Sequence, residues 1–469
     1  MRLIAHLLPL LLVAVLPALA KDDTTKDDKK TTSATDGILT LDGTLTSSIS
    51  EATVPTGHYL SYTSTITLDN GHTVTSTGTG AESTVTSSSS SNGTTTSGNA
   101  TMVSTSSESL TLLVGGGHTG AANGSTNATA TASTSASSTP VVNTQPCNGY
   151  TEFCSRKYSN ITMVAAHNSP FVKAGNAAAN QAFPVTDQLD DGVRMLQFQV
   201  HLINSTLYLC HTTCDLLNVG TLEDYLTTVT KWIKTHPYDV VTILMGNYDY
   251  VAPGNFTTPI QNSGLMDYVF TPPKIPMALD DWPTVSNMIL SGKRAVIFMD
   301  YQANQTAYPW LMDEFSQLWE TPFSPTDSDF PCTEQRPPNL SQQDAEDRMY
   351  MANHNLNIDV SIASISLLLP NTAALNQTNA VSGYGSLGLM AQNCTAMWNR
   401  PPNFLLVDYY NDGNFNGSVF EVAAEMNNVT YSAKCCGTAS AASNLMPGVS
   451  TMGALLVMAG VQFLVSSAF

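Results

Sequence analysis

Basic charge is scarce in this chain. Lys and Arg number 18 among 469 residues, against 37 Asp and Glu, for a formal net charge of −19. A nucleic-acid partner needs a basic patch, so the composition argues against one. It argues equally against simple electrostatic attraction to anionic lipid. Cysteine is absent before position 147 and then occurs at 147, 154, 210, 214, 332, 394, 435 and 436. Residues 21–146 are also poor in long apolar runs and are dominated by Ser, Thr, Gly, Ala and Asn. Such a composition buries too little apolar surface to offset the entropy of ordering. It reads as a Ser/Thr-rich, disordered and glycosylated stalk. One part is different: "HYLSYTSTITLDNGHTVTSTGTG" alternates apolar and polar residues around Asp69-Asn70-Gly71, a hairpin signal.

The ends are equally informative. "MRLIAHLLPLLLVAVLPALA" has one basic residue, an apolar stretch and Ala18-Leu19-Ala20, which reads as a signal peptide over 1–20. From Gly453 the chain reads "GALLVMAGVQFLVSSAF", without a charge or a basic stop. Small residues, a spacer and this tail make 438–469 a glycolipid (GPI) anchor signal, with Ser440 as the expected attachment residue and Ser443 and Asn444 as competitors. The expected location is the cell surface, in the outer leaflet of the plasma membrane and the wall. An even number of cysteines fits that oxidising compartment. Cys210 and Cys214 read as a local disulfide in preference to metal ligands. Sequons at Asn160, Asn204, Asn304 and Asn428 add a glycosylated surface.

Aromatics, cysteines and apolar runs begin together at Cys147 and continue to 437, which suits one large domain. Short apolar runs at 161–166, 193–200, 207–210, 240–245, 295–299, 348–352 and 404–407 read as strands. Helical patterns lie between them, the clearest at 221–235, where Thr221 caps a stripe of Leu222, Tyr225, Leu226, Val229, Trp232 and Ile233. Alternating strands and helices over this length predict an α/β fold, an irregular (β/α)8 TIM-type barrel.

Chemistry in such barrels gathers at the C-terminal strand ends. Here those ends carry His167-Asn168, then Gln197, Gln199 and His201, His211, Asn247 and Asp249, Asp300-Tyr301, His354, and Asp408-Tyr409. Each alone reads as well as a structural group: a hydrogen-bonded histidine, a helix-capping acid, a packed tyrosine. Their convergence on one rim, with acids placed to orient histidines, suits general acid–base catalysis near neutral pH.

The segments "MVAAHNSPFV", "DQLDDGVRMLQFQVH", "LYLCHTTCDLL", "TLEDYLTTVTKWIKTHPYDVVTILM" and "NFLLVDYY" resemble, in order and spacing, the X-domain of phosphatidylinositol-specific phospholipase C and its phosphodiesterase superfamily, in particular a secreted fungal branch. The resemblance implies phosphodiester cleavage by two histidines, with a phospholipid or related extracellular phosphodiester as substrate. His167 matches the histidine that takes a proton from the attacking hydroxyl, and His211 the one that protonates the leaving alcohol. Asp408 matches an acid that orients a histidine. Asn168, Gln197, Gln199, His201, Asn247, Asp300 and Tyr409 are the expected substrate-side residues.

What is missing from the pattern matters as much. Calcium-dependent members carry a glutamate and an aspartate where Gln197 and Gln199 stand, and a further acid at the position of Asn247. Hard cations want carboxylate oxygens, so no metal or other cofactor is expected. Metal-free members carry an arginine at position 199, and strand alternation puts Arg194 on the opposite face. Three readings follow: a phosphodiesterase that holds phosphate with amides, His201 or another donor; an inactive barrel that binds lipid or sugar phosphate; or a surface protein whose stalk is its main function. The two histidines favour the first.

Overall fold

The computed structural model describes residues 59–62, 64–68, 74–75, 144–362, 365–433 and 435–436. The expected signal peptide, most of the Ser/Thr-rich region and Ser440 with the apolar tail lie outside the described residues. None of the described helices is long and apolar enough to cross a membrane.

Eight parallel strands follow one another around a ring: β1 Met163–Ala166, β2 Met195–Ile203, β3 Val241–Gly246, β4 Ala295–Met299, β5 Leu311–Asp313, β6 Leu318–Glu320, β7 Met349–Asn353 and β8 Phe404–Val407. Each pairs with its sequence neighbour, and β8 closes onto β1. Between β5 and β6 the sheet path ends instead. The fold is therefore an irregular (β/α)8 barrel with one open seam. The two strands flanking the seam have three residues each, too short for a periodic signal, and sequence reasoning missed both.

Strand alternation builds two cores. Met163, Ala165, Met195, Leu244, Phe298, Met349, Met351, Phe404 and Leu406 fill the barrel interior. Val164, Leu196, Phe198, Ile243, Leu405 and Val407 face outward onto the helices. Helix α1 spans Val185–Asp191 and helix α2 spans Leu222–Thr235. The Thr221 hydroxyl caps α2 by accepting from the Asp224 N–H, and Leu222, Leu226, Val229 and Ile233 are buried beneath it. Burying each such side chain contributes about 1.5–3 kcal/mol.

Two additions extend the barrel, and the first carries His211. After β2, strands Thr206–Cys210 and Asn218–Thr221 form an antiparallel extension that turns back along β2, pairing Tyr208 with His201 and Leu209 with Val200. Earlier in the chain, Ile66–Leu68 pairs with both Val74–Thr75 and Lys274–Ile275. Tyr59 lies edge-on to Phe315, whose ring is 4.8 Å away, in the short helix Glu314–Gln317 that bridges the seam. Part of the Ser/Thr-rich region is thus ordered against the barrel.

The cysteines join 147 to 154, 210 to 214, 332 to 394 and 435 to 436. The expected local bridge at Cys210 and Cys214 is present.

Candidate active site

Inward-facing positions on β1 run 163, 165, 167. The first two fill the apolar interior, and the third emerges above it. The short buried strand therefore ends on His167 because alternation delivers that side chain to the barrel mouth. The same count delivers Gln197 and Gln199 on β2, Asp300 after β4, Glu320 at the end of β6, Asn353 at the end of β7 and Asp408 after β8.

His167 Nδ1 lies 2.8 Å from Asp408 Oδ1, and the Asp408 carboxylate is buried. A carboxylate accepts, so Nδ1 carries the proton and Nε2 is left for chemistry. Asn180, which sequence reasoning missed, donates from Nδ2 to the same Asp408 oxygen at 2.8 Å. Gln181 donates to the carbonyls of His167 and Val407 at 2.8 and 3.0 Å, tying β1 to β8 just below the dyad. Tyr409 reaches back to the carbonyl of Ala179 through its hydroxyl. These links run through the segment 178–181, which lies in an irregular stretch without periodicity, so only its polar residues signalled it.

His211 is placed over the mouth by the antiparallel extension and is buried, with Phe171 edge-on at 5.3 Å. Burial first, then the nearby charge of His167, push its pKa down to about 4, against a smaller opposing pull from Asp408. At neutral pH the free protein therefore holds His211 uncharged. Cys210 and Cys214 close a disulfide loop around it. We expect Cys210→Ala/Cys214→Ala to lower kcat by about 10²-fold, since an ångström of misplacement costs that much, with cooperative unfolding retained. Steady-state kinetics beside a urea melt checks this; undiminished kcat would show that the bridge does not position His211.

Asn168 is buried in a left-handed conformation (φ 49°), and neither its Oδ1 nor its Nδ2 has a partner among the described residues. An unsatisfied buried amide is costly. The other amides are engaged. Gln197 Oε1 accepts from the Asn168 N–H at 2.8 Å, and Gln199 Oε1 from the Thr212 N–H at 3.0 Å. Asn247 accepts from the Val251 N–H and donates to the carbonyls of Val251 and Tyr301. All three are neutral, and their oxygens already serve backbone donors, so these positions do not fit a calcium or magnesium ion.

Asp300 accepts from the Asn247 N–H at 2.6 Å, and burial pushes its pKa up to about 6. His201 bonds Asp249 at the rim. His354 is buried between the carbonyl of Thr378 and the sulfur of Met390, and His236 stacks on Trp232. His354 and Asp408 line one small cavity, and the His354 backbone N–H donates to the carbonyl of Leu406 on β8 at 2.9 Å.

The PI-PLC X family profile matches residues 153–427. The chain belongs to the PI-PLC X family. It is 61% identical over 344 residues to an uncharacterized secreted protein of Arthroderma benhamiae, covering 72% of this chain and 78% of that one. A PI-PLC X domain-containing protein 1 of the same fungus is 40% identical over 280 residues, or 59% of this chain and 89% of that one. Among solved structures, a mutant phosphatidylinositol-specific phospholipase C from Staphylococcus aureus aligns with TM-score 0.41 and 14% identity, over 57% of this chain and 93% of that one.

Proposed function

We propose that this PI-PLC X protein is a phosphoric diester hydrolase that cleaves a phospholipid or related extracellular phosphodiester by metal-independent two-histidine catalysis. The observation that carries this reading is the His167–Asp408 hydrogen bond of 2.8 Å with His211 close by. Nε2 of His167 takes the proton of an attacking hydroxyl as that oxygen bonds to phosphorus. The phosphorus–oxygen bond to the leaving alcohol breaks, and His211 supplies that alcohol's proton. Asp408 stabilises the imidazolium formed on His167. The negative charge of the bound diester opposes the desolvation that holds His211 neutral, and so loads it with its proton.

Hydrolysis of phosphatidylinositol, glycolipid anchors, other phospholipids and glycerophosphodiesters, with and without EDTA, tests the reading. We expect turnover on at least one class, unchanged by chelator. Turnover abolished by EDTA and restored by calcium would overturn the metal-independent mechanism. No turnover on any class would favour the inactive barrel.

A further inference from the structure

A segment of the Ser/Thr-rich region returns to the barrel beside the loop that follows β4, and that loop carries an attachment sequence. Tyr59 meets Phe315 there, and Ile66 pairs with Ile275. A cleft of about 360 Å³ lies between segment and loop. Its walls include Leu60, Tyr62 and Ile66 from the segment and Ile275, Asn304 and Thr306 from the rest of the domain. We infer that Asn304 carries an N-linked glycan whose first sugar occupies this cleft and fastens the segment to the barrel.

Asn304-Gln305-Thr306 is a sequon, and all three of its residues line the cleft. Asn304 and Thr306 are exposed, as a transferase requires, and Gln305 between them is buried. Gln305 anchors the loop: its Oε1 accepts from the Asp313 N–H at 3.0 Å, and its Nε2 donates to the Pro309 carbonyl at 3.4 Å. Asn304 Oδ1 accepts from the Ala307 N–H at 3.1 Å. That bond fixes the amide through its oxygen and does not use Nδ2, the atom that is modified. Attachment joins Nδ2 to the anomeric carbon of an oligosaccharide. The carbon–oxygen bond to the donor's lipid diphosphate breaks, the diphosphate leaves with the electron pair, and the amide proton passes to a base of the transferase. The disulfides fit the secretory compartment in which this occurs.

A sugar linked to Nδ2 starts at the wall of the cleft. Its hydroxyls suit the polar residues there, and its C–H face suits the apolar ones. Leu60 is 40% exposed, so a sugar face against it takes apolar surface out of water. The segment's own hold is small. Its strand Ile66–Leu68 has three residues, and each of the two partner strands has two. So short a sheet is marginal unless something packs on it. Asn160, Asn204 and Asn428 do not line this cleft, so among these four sequons the seat belongs to Asn304.

The test uses the full chain secreted from a eukaryotic host with its own glycans. Mass spectrometry of glycopeptides reads occupancy at Asn304, and hydrogen exchange reads the backbone amides of Ile66–Leu68. We expect Asn304 to be occupied. Asn304→Gln and Thr306→Ala each abolish the sequon and should speed exchange at those amides about tenfold or more. Thr306→Ser keeps the sequon and should exchange like the parent. Trimming every glycan to its first sugar with an endoglycosidase should also leave exchange unchanged, since that sugar is the one seated. An unmodified Asn304 would overturn the inference. So would unaltered exchange in Asn304→Gln and Thr306→Ala, or faster exchange in trimmed protein or in an occupied Thr306→Ser variant.

Discussion

On the proposed two-histidine mechanism, His167→Ala and His211→Ala are each expected to lower kcat/KM on a cleaved phosphodiester by about 10²–10⁴-fold, the usual span for a positioned acid or base. The double variant falls little further than the worse single one, because the two act in one step. Asp408→Asn acts through His167. It keeps the shape but removes the carboxylate that sets the tautomer, so it lowers kcat and leaves KM nearly unchanged. Nuclear magnetic resonance gives a further reading. Since the charge of His167 helps push His211 down to about 4, His167→Ala should raise the His211 pKa. Kinetics of the three variants with a ring titration decides the matter. Full activity in either histidine variant would remove that residue from the mechanism.

The largest effect on stability is expected at Arg336. Its guanidinium is buried and contacts Glu320 Oε2 at 2.9 Å, with Asp300 at 3.9 Å, the Tyr301 hydroxyl at 3.0 Å and the ring of Phe323 beneath it. Glu314 is pushed well above its ordinary value by burial and then by Glu320, with Arg336 pulling it back. Arg336→Met leaves these carboxyls buried without a cation, and breaking a buried pair from one side costs about 3–5 kcal/mol. The pH dependence has a definite sign. Asp300 and Glu314 bind protons more tightly in the folded state, so their contribution is present at low pH and lost as pH rises through the folded values, about 6 for Asp300. Without Arg336 those values climb further, so the variant loses more stability at pH 7 than at pH 5. Urea unfolding at the two pH values measures this. An equal loss at both, or one below about 1 kcal/mol, would show that the arginine does not neutralise the cluster.

Much of this was legible in the sequence because it rests on short-range rules. Alternation along 163–167 and 195–201 places His167, Gln197, Gln199 and His201 on one face without a structure. The caps and stripe of α2 are equally local. What was not legible rests on long-range meetings. Asn180 reaches Asp408 across 228 positions of sequence, and Arg336 enters the barrel mouth from an irregular loop. The roles of the amides were hidden for a related reason. Gln199 occupies the expected place, but only the fold shows its oxygen serving the N–H of Thr212. Tyr59 lay in a segment whose composition hides its contact with Phe315.

The cut in the ring has a mechanical consequence. β1 and β8, which deliver His167 and Asp408, each have a strand neighbour on both sides, while β5 and β6 each have a strand partner on one side only, the other edge of β6 being bridged at Glu320 to the backbone of Arg336. The helix Glu314–Gln317 joins them, and Arg336 lies there against Glu320 and the rings of Tyr301 and Phe315. The break in the hydrogen-bonded ring thus lies three strands away from the junction of β8 with β1 that carries His167 and Asp408. The ring is a clasp rather than a closed hoop, and its fastening, the Arg336–Glu320 pair, is set apart from the hinge side where the His167–Asp408 hydrogen bond sits.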